Sequence, residues 1–334
     1  MGDFIGRNKQ DWDELESLIN RARKSVKKLP PEALARLDVL YRRTTVHLSQ
    51  VQTRTTDVRL ARYLNTLTAA AHSLIYLPPK QPALQGMLQF LVEGFGRTIA
   101  RNWIFHAVSG LLMIAGGLLA YFAGSVDPVA LYALLPPGDP RVPGAPREFL
   151  LEVLRSGREQ GSGLKFVFAS FLFQHNLKVG LMAMSLGMLA AVPTIFLMLY
   201  NGMILGAFIG VHHQAGIYAE VWAWLLPHGV TELGAIVLCG GMGLQLGWAV
   251  IRPGVLTRGD SIKAVAPEVG RTAIGVAIML VFAAIIESYL RQSHLSTNAR
   301  FTFAGCSAVF WIVYIAYGQI RERTSDRERL DHVS

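Results

Sequence analysis

Charge is scarce in this sequence. Only 16% of its 334 residues are Asp, Glu, Lys or Arg, against about a quarter in soluble globular proteins, while 51% are hydrophobic. Cysteine is scarcer: the two, Cys239 and Cys306, sit in apolar runs, which excludes a disulfide scaffold and reads them as small core residues. Some stretches lack charge altogether, and the 33 residues Val179–Val211 hold no Lys, Arg, Asp or Glu. Water cannot satisfy the surface of such segments, so an ordinary soluble enzyme and a disordered chain are both excluded. Nor is there a nucleophile elbow, a phosphate loop, a dinucleotide fingerprint, an HExxH or a paired-Cys spacing. No cofactor is expected.

The charge that is present is uneven. Lys and Arg number 32 against 23 Asp and Glu, a net +9, and residues 1–102 carry 16 of the basic residues with 9 of the acidic ones. Nucleic acid is a weaker explanation than basic loops beside a membrane or an acidic partner, with RARKSVKK at 21–28 the densest run. The first sixteen residues, MGDFIGRNKQDWDELE, lack the short apolar core of a cleavable signal, so the first span is expected to act as the insertion signal.

Residues 1–82 read as a cytoplasmic helical bundle. Trp12, Leu15, Leu18, Ile19, Ala22 and Val26 fall on one face of a first helix that Pro30 and Pro31 end. Leu34, Leu37, Leu40, Tyr41, Leu48 and Val51 line a second, and Val58, Ala61, Leu64, Leu67, Ala71 and Leu74 a third, which stops before Pro78. Residues 83–102 carry few charges and read as an interfacial amphipathic helix.

A hydrocarbon layer of about 30 Å needs about 20 apolar residues per helix. Spans are expected near 103–122, 166–192, 194–212, 233–251, 273–290 and 301–320, with Pro193 at the hinge between the second and third. The expected class is all-α: about six transmembrane helices with an N-terminal soluble helical bundle. An external loop is expected at 125–164 and a cytoplasmic tail at 321–334. The 252–271 loop, with Arg252, Arg258, Lys263 and Arg271, and the tail, with Arg321, Arg323, Arg327 and Arg329, then share one side with the N-terminus. The inside-positive bias makes that side cytoplasmic.

Polar residues interrupt the apolar spans at Asn176, Asn201, His228, Glu232 and Glu287. Ionisable groups at membrane depth are costly and face protein or a water cavity, so these five define a candidate intramembrane pocket. Each also has a structural explanation: Glu232 as a helix-start charge, His228 as a cap, Glu287 at headgroup level. Pro227 and Gly229 predict a helix break, with 217–229 either a re-entrant segment of the kind transporters use or a tryptophan-anchored loop. Gly202, Gly206 and Gly210, and again Gly243 and Gly247, are spaced by four and predict close helix packing, within one chain or across a homodimer. His212, His213 and Glu220 are weak metal candidates for want of ligand spacing, and no metal is expected.

The run FQHNLKVGLMAMSLGMLAAVPTIFLMLYNGMILGAFIG through LPHGVTELGAIVLCGGMGLQLG, with AAIIES further on, resembles the core of the stage II sporulation protein M family. YRRTTVHLSQVQTRTTDVRLARYLNTLTAAAHSLIY is similar to the N-terminal helical domain of its longer members, which tend to have Phe-Pro where this chain has Phe95-Gly96. The resemblance implies a multi-pass protein of the bacterial cytoplasmic membrane, with both termini cytoplasmic and no established catalytic activity. It further implies an assembly role, with a soluble partner such as a MoxR-type AAA+ ATPase. Two functions are therefore carried forward: a non-enzymatic organiser of a membrane or envelope complex, and a transporter or channel for protons, a cation or a small polar solute.

Overall fold

A computed structural model describes residues 2–24, 29–54, 57–76, 83–135, 138–155, 162–287 and 295–331. Val26, Pro136, Pro137 and the last residues of the expected 273–290 span lie outside them. The chain divides into two compact units, Met1–Gly86 and Met87–Ser334.

The first unit holds three helices: α1 (Gly2–Lys24), α2 (Pro31–Arg54) and α3 (Val58–Tyr76). Their apolar stripes meet in one core of Trp12, Leu15, Leu18, Ile19, Leu37, Leu40, Val51, Leu64, Leu67 and Ala71. Of the expected lining residues, Leu34 and Val58 are exposed instead, at the edges of their stripes. Trp12 is buried and its indole Nε1 donates to Nδ1 of His47 at 3.1 Å. Arg36 grips the Glu14 carboxylate with two nitrogens at 2.9 and 2.6 Å, fastening α2 to α1. That bond, with the Arg36 charge, holds the Glu14 carboxyl below its ordinary range.

After the unit boundary within α4 (Ala83–Gln89) come a π-helical turn over Phe90–Gly94 and α5 (Phe95–Arg101). The π-turn has a local cause. The Tyr314 hydroxyl donates to the Leu91 carbonyl and accepts from the Gly96 amide, taking over bonds that the wider turn leaves open. Then follow α6 (Trp103–Val126), a 3₁₀ turn over Pro128–Ala133, and α7 (Arg147–Arg155). The remaining helices are α8 (Ser162–Ser185), α9 (Val192–Gln214), α10 (Ala219–Ile251), α11 (Arg258–Ile286) and α12 (Thr297–Asp331).

Among the described residues five helices are long and apolar enough to cross a membrane: α6, α9, α10, α11 and α12. Helix α8 packs among them, mainly against α10 and α11. Gly202 and Gly206 of α9 meet Met113 and Gly117 of α6 in the same order along both helices, so α6 and α9 run parallel. The chain must therefore return between them. It does so through α8, which lies parallel to α10, with Gly180 against Cys239 and the Ala183 carbonyl against Gly243. The α8–α9 turn tightens through a 3₁₀ turn at Leu186–Met188 and two left-handed residues, Ala190 (φ 56) and Ala191 (φ 61), and Pro193 opens α9 in its first turn. The hinge precedes Pro193 rather than centring on it.

Two expectations change. The break at Pro227 and Gly229 does not form: α10 runs through both, unbroken for 33 residues and about 50 Å long at ~1.5 Å per residue. Residues 219–229 therefore belong to this helix, and no re-entrant segment exists there. Between buried helices an interrupted backbone would find no other partner for its amides and carbonyls, which outweighs the single bond proline removes. The 252–271 loop is likewise short, because α11 starts at Arg258, where Thr257 Oγ1 caps the Asp260 amide at 3.1 Å.

Helix α10 is the hub, packed against α6, α8, α9, α11 and α12. Its most apolar stretch is 72% buried, against 11% for α12. The glycine stripes serve these contacts inside one chain. A methyl group at Gly202, Gly206, Gly243 or Gly247 would collide with Met113, Gly117, Ala183 or Ala191 respectively, whereas Gly210 sits at ordinary distance from Leu131. At the end where α6 and α11 begin, Glu322 of α12 takes Arg97 and Arg101 of α5, and Arg101 reaches Glu268 of α11 at 3.2 Å.

Candidate functional site

The opposite end, where α10 begins, carries the chemistry. Glu220, Trp224, His228 and Glu232 follow one another at four-residue spacing, so they stack on one face of α10. His228 and Glu232 lie about 14 and 20 Å along a helix that starts at Ala219. Glu287, the residue after α11, comes down beside them, because α11 runs antiparallel to α10 with Met279 against Gly234.

Ligand atoms of His228, Glu232 and Glu287 all fall within 4.8 Å of one another. His228 Nε2 is 4.0 Å from Glu287 Oε1, and both side chains are 5% exposed. Glu232 is half-buried. The Trp224 ring meets the His228 imidazole edge-on at 5.6 Å and lies over the cluster. Above Trp224, a cavity of about 190 Å³ is lined by Arg155 of α7, Glu220 of α10 and Ser296, Thr297 and Arg300 at the start of α12. Arg300 is buried there and its Nε donates to the Leu295 carbonyl at 3.3 Å.

Three of the five expected pocket residues thus come together. Asn176 is buried, and the parallel register of α8 and α10 brings it level with Ala235, one turn below Glu232. Asn201 spends its amide on the Leu197 carbonyl of its own helix at 2.8 Å and does not join. The weak metal candidates do not join this group. His212 Nδ1 lies 2.8 Å from the Phe208 carbonyl, His213 Nδ1 lies 3.1 Å from the Tyr121 hydroxyl, and Glu220 lies 3.8 Å from Arg147. Among the described residues, His228, Glu232 and Glu287 are the group that converges in a metal-ligating arrangement.

Trp224 and Arg300 were not anticipated. The four-residue spacing from Glu220 to Glu232 is a visible signal for Trp224, hidden by the expected break at Pro227. Arg300 offers no such signal, since only the fold carries the start of α12 to the start of α10. A second group joins the loop to α9 nearby: Arg141 grips Asp139 and lies 4.9 Å above the Phe208 ring. Burial would raise the Asp139 carboxyl, but the Arg141 bonds outweigh it and hold it below its ordinary range.

Residues 109–291, more than half of the chain and including α8–α11 and the whole cluster, match the family model described as stage II sporulation protein M. The chain belongs to that family. Residues 2–77, the three helices of the first unit, match a domain of unknown function, DUF8413. No curated protein and no solved structure matches the chain. The family match and the apolar helices make this a multi-pass membrane protein. Within this stage II sporulation protein M relative, the Pro227-His228-Gly229 motif supplies a cluster residue from within an intact helix.

Proposed function

We propose that the protein is a non-enzymatic organiser of a membrane or envelope complex in the bacterial cytoplasmic membrane, with both termini and the three-helix unit on the cytoplasmic side. One observation carries this reading: the chain joins two compact units, each with its own apolar core and each matching its own family model. A separately folded helical unit with a charged surface suits docking, and a tightly interlocked membrane unit suits anchoring. The docked partner is a soluble protein such as a MoxR-type AAA+ ATPase. The positive side of the membrane unit, with Arg252, Arg258 and Lys263, supports the orientation.

The test is purification from native membranes of the full chain and of a chain lacking residues 1–86, compared by mass spectrometry. A soluble protein retained by the full chain and absent from the shortened one is the expected result. Identical protein sets would remove the docking role.

A second reading, movement of protons or a cation, is supported by the convergence of His228, Glu232 and Glu287 beneath Trp224. Proteoliposome flux of wild type, Glu232→Gln and Glu287→Gln tests it. Flux equal to empty vesicles in all three excludes it.

A further inference from the structure

Where α6, α9 and α10 meet, they leave a cavity of about 430 Å³. Gly110, Met113, Ile114, Gly117, Leu118 and Tyr121 line it along one face of α6 at three- and four-residue spacing, so the cavity runs lengthwise along the helix. Glycine makes the space: Gly110 and Gly117 of α6 and Gly206 of α9 bring no side chains to it, while Leu205, Leu233 and Val237 supply walls. Ile114 and Leu118 are exposed, so the cavity opens sideways from the bundle, into the layer that the apolar helices span. Among the described residues no Asp, Glu, Lys or Arg lines it. Along most of its length water finds nothing to bond to, and hydrocarbon finds a matching surface.

The two ends differ. Gly110 and Val237 mark one; Tyr121, His213 and Trp222 mark the other, where α6 ends and α10 begins. There the Tyr121 hydroxyl lies 3.1 Å from His213 Nδ1, and the rings of Tyr121, Tyr218 and Trp222 stand 5.5, 4.7 and 6.2 Å from the His213 imidazole. Amphipathic rings of this kind settle at the level of lipid headgroups. Gly110 to Tyr121 spans about 16 Å at ~1.5 Å per residue, half of a ~30 Å hydrocarbon layer. Width decides the occupant. That volume over that length gives a mean section of roughly 26 Å², room for one hydrocarbon chain, whereas a helix about 10–12 Å across needs far more. A chain lying there touches fixed protein atoms from three helices, contacts that it lacks among fluid tails.

We propose that this cavity is a lipid site, holding one hydrocarbon chain of a membrane lipid whose headgroup rests at the Tyr121–His213–Trp222 collar. With no charged group in the lining, the site selects by chain and not by headgroup. It goes beyond both functions proposed above and depends on neither: loss of a soluble partner, or absence of flux, leaves lipid uptake unchanged.

The experiment uses the full chain in detergent micelles, delipidated, then titrated with phosphatidylglycerol or phosphatidylethanolamine carrying the same palmitoyl and oleoyl chains. Native mass spectrometry counts the bound lipid. Wild type is expected to take up one lipid ahead of any others, with the two headgroups binding alike. Dihexanoyl phosphatidylglycerol, whose chains leave most of the cavity unfilled, is expected to bind at least about tenfold more weakly. Gly110→Leu adds a Cβ that meets only Val237, at 3.5 Å, and is expected to weaken uptake by at least about tenfold by filling one end. Gly305→Leu on α12, where nothing lies within 4 Å, is expected to leave uptake unchanged. A second measurement needs no variant. Phosphatidylglycerol with a photoreactive diazirine on its acyl chain, in vesicles with wild type, is expected to label residues 110–121 and 205–213 more heavily than Val309 and Val313 of α12, which are as exposed as Ile114. The proposal is overturned if the first lipid binds no better than later ones, if Gly110→Leu takes up lipid as wild type does, if affinity follows headgroup charge, or if label spreads evenly over α6 and α12.

Discussion

Gly206 of α9 lies so close to Gly117 of α6 that a single added methyl would strike the Gly117 carbonyl. Gly206 has no room for any other residue, whereas a methyl at Gly117 would meet the Gly202 carbonyl at an ordinary 3.4 Å. Four residues earlier, Gly202 meets the Met113 carbonyl in the same way, so the two helices touch backbone to backbone over a full turn. Such contact gives dispersion energy that lipid tails cannot match.

Gly206→Ala is accordingly expected to destabilise the membrane unit by about 1–3 kcal/mol, the usual cost of overpacking, and Gly206→Leu to prevent its assembly. Gly305→Ala on α12, where nothing lies within 4 Å, is expected to be neutral. Thermal midpoints in detergent compare the three. Equal midpoints for Gly206→Ala and Gly305→Ala would contradict the interlocked pair.

The Trp12–His47 bond makes the first unit sensitive to acid. His47 accepts the indole N–H on Nδ1, which protonation would occupy, and burial pushes its pKa below the ordinary 6.5. The unfolded chain then binds the proton more readily, so stability is complete above about pH 6.5 and declines as pH falls from there to the folded value. Residues 1–86, which contain Trp12 as their sole tryptophan, are expected to unfold at lower urea at pH 5.5 than at pH 7.5. Trp12 fluorescence reads the transition, and His47→Gln should flatten the difference. A midpoint unmoved by pH in wild type would contradict it.

Glu14 acts in a separate window. Its carboxyl is held low by Arg36, so its contribution is present above the unfolded value near 4.5 and fades as pH falls through the lower folded value. Arg36→Gln is expected to remove that part of the acid response while leaving the His47 part, an outcome visible in the same titration between pH 5 and pH 3. The effect is small, because both side chains are about 40% exposed and water screens the pair.

At the far end, Glu322 is shared by Arg97 and Arg101. Glu322→Gln is expected to lower the thermal midpoint more than Glu93→Gln, because it loosens two arginines where Glu93 serves Arg321 and Tyr317 at a more exposed site. A double-mutant cycle of Arg101→Ala with Glu322→Ala should return a coupling of about 1 kcal/mol, reduced by the 44% exposure of Arg101. Strict additivity would show that the pair contributes nothing.

Much of this architecture could be read from residue order. The stripes of α1–α3 are periodic enough that Trp12, Leu15, Leu40, Leu64 and Ala71 are placed correctly in the core. The convergence of His228, Glu232 and Glu287 was legible too, since counting helices puts all three near one end. The helix break was misread because Pro227 and Gly229 signal interruption in water, whereas packed neighbours leave the backbone no alternative partner. The Arg97–Arg101–Glu322 contacts were illegible for another reason: they join residues more than 200 positions apart, and only the fold lays α5 alongside α12.

The shared direction of α6 and α9 has a consequence for how the protein is made. The return segment, α8, carries Gln174, His175, Asn176 and Lys178 through its middle. A lysine at the centre of a span disfavours insertion by about 2.5–3.5 kcal/mol, so α8 is a poor candidate to partition into lipid unaided as it leaves the translocon. It is expected to enter only once α10, synthesised later, offers Cys239 and Gly243 as a surface to lie against. Biogenesis then proceeds out of chain order, with an upstream helix waiting on a downstream one.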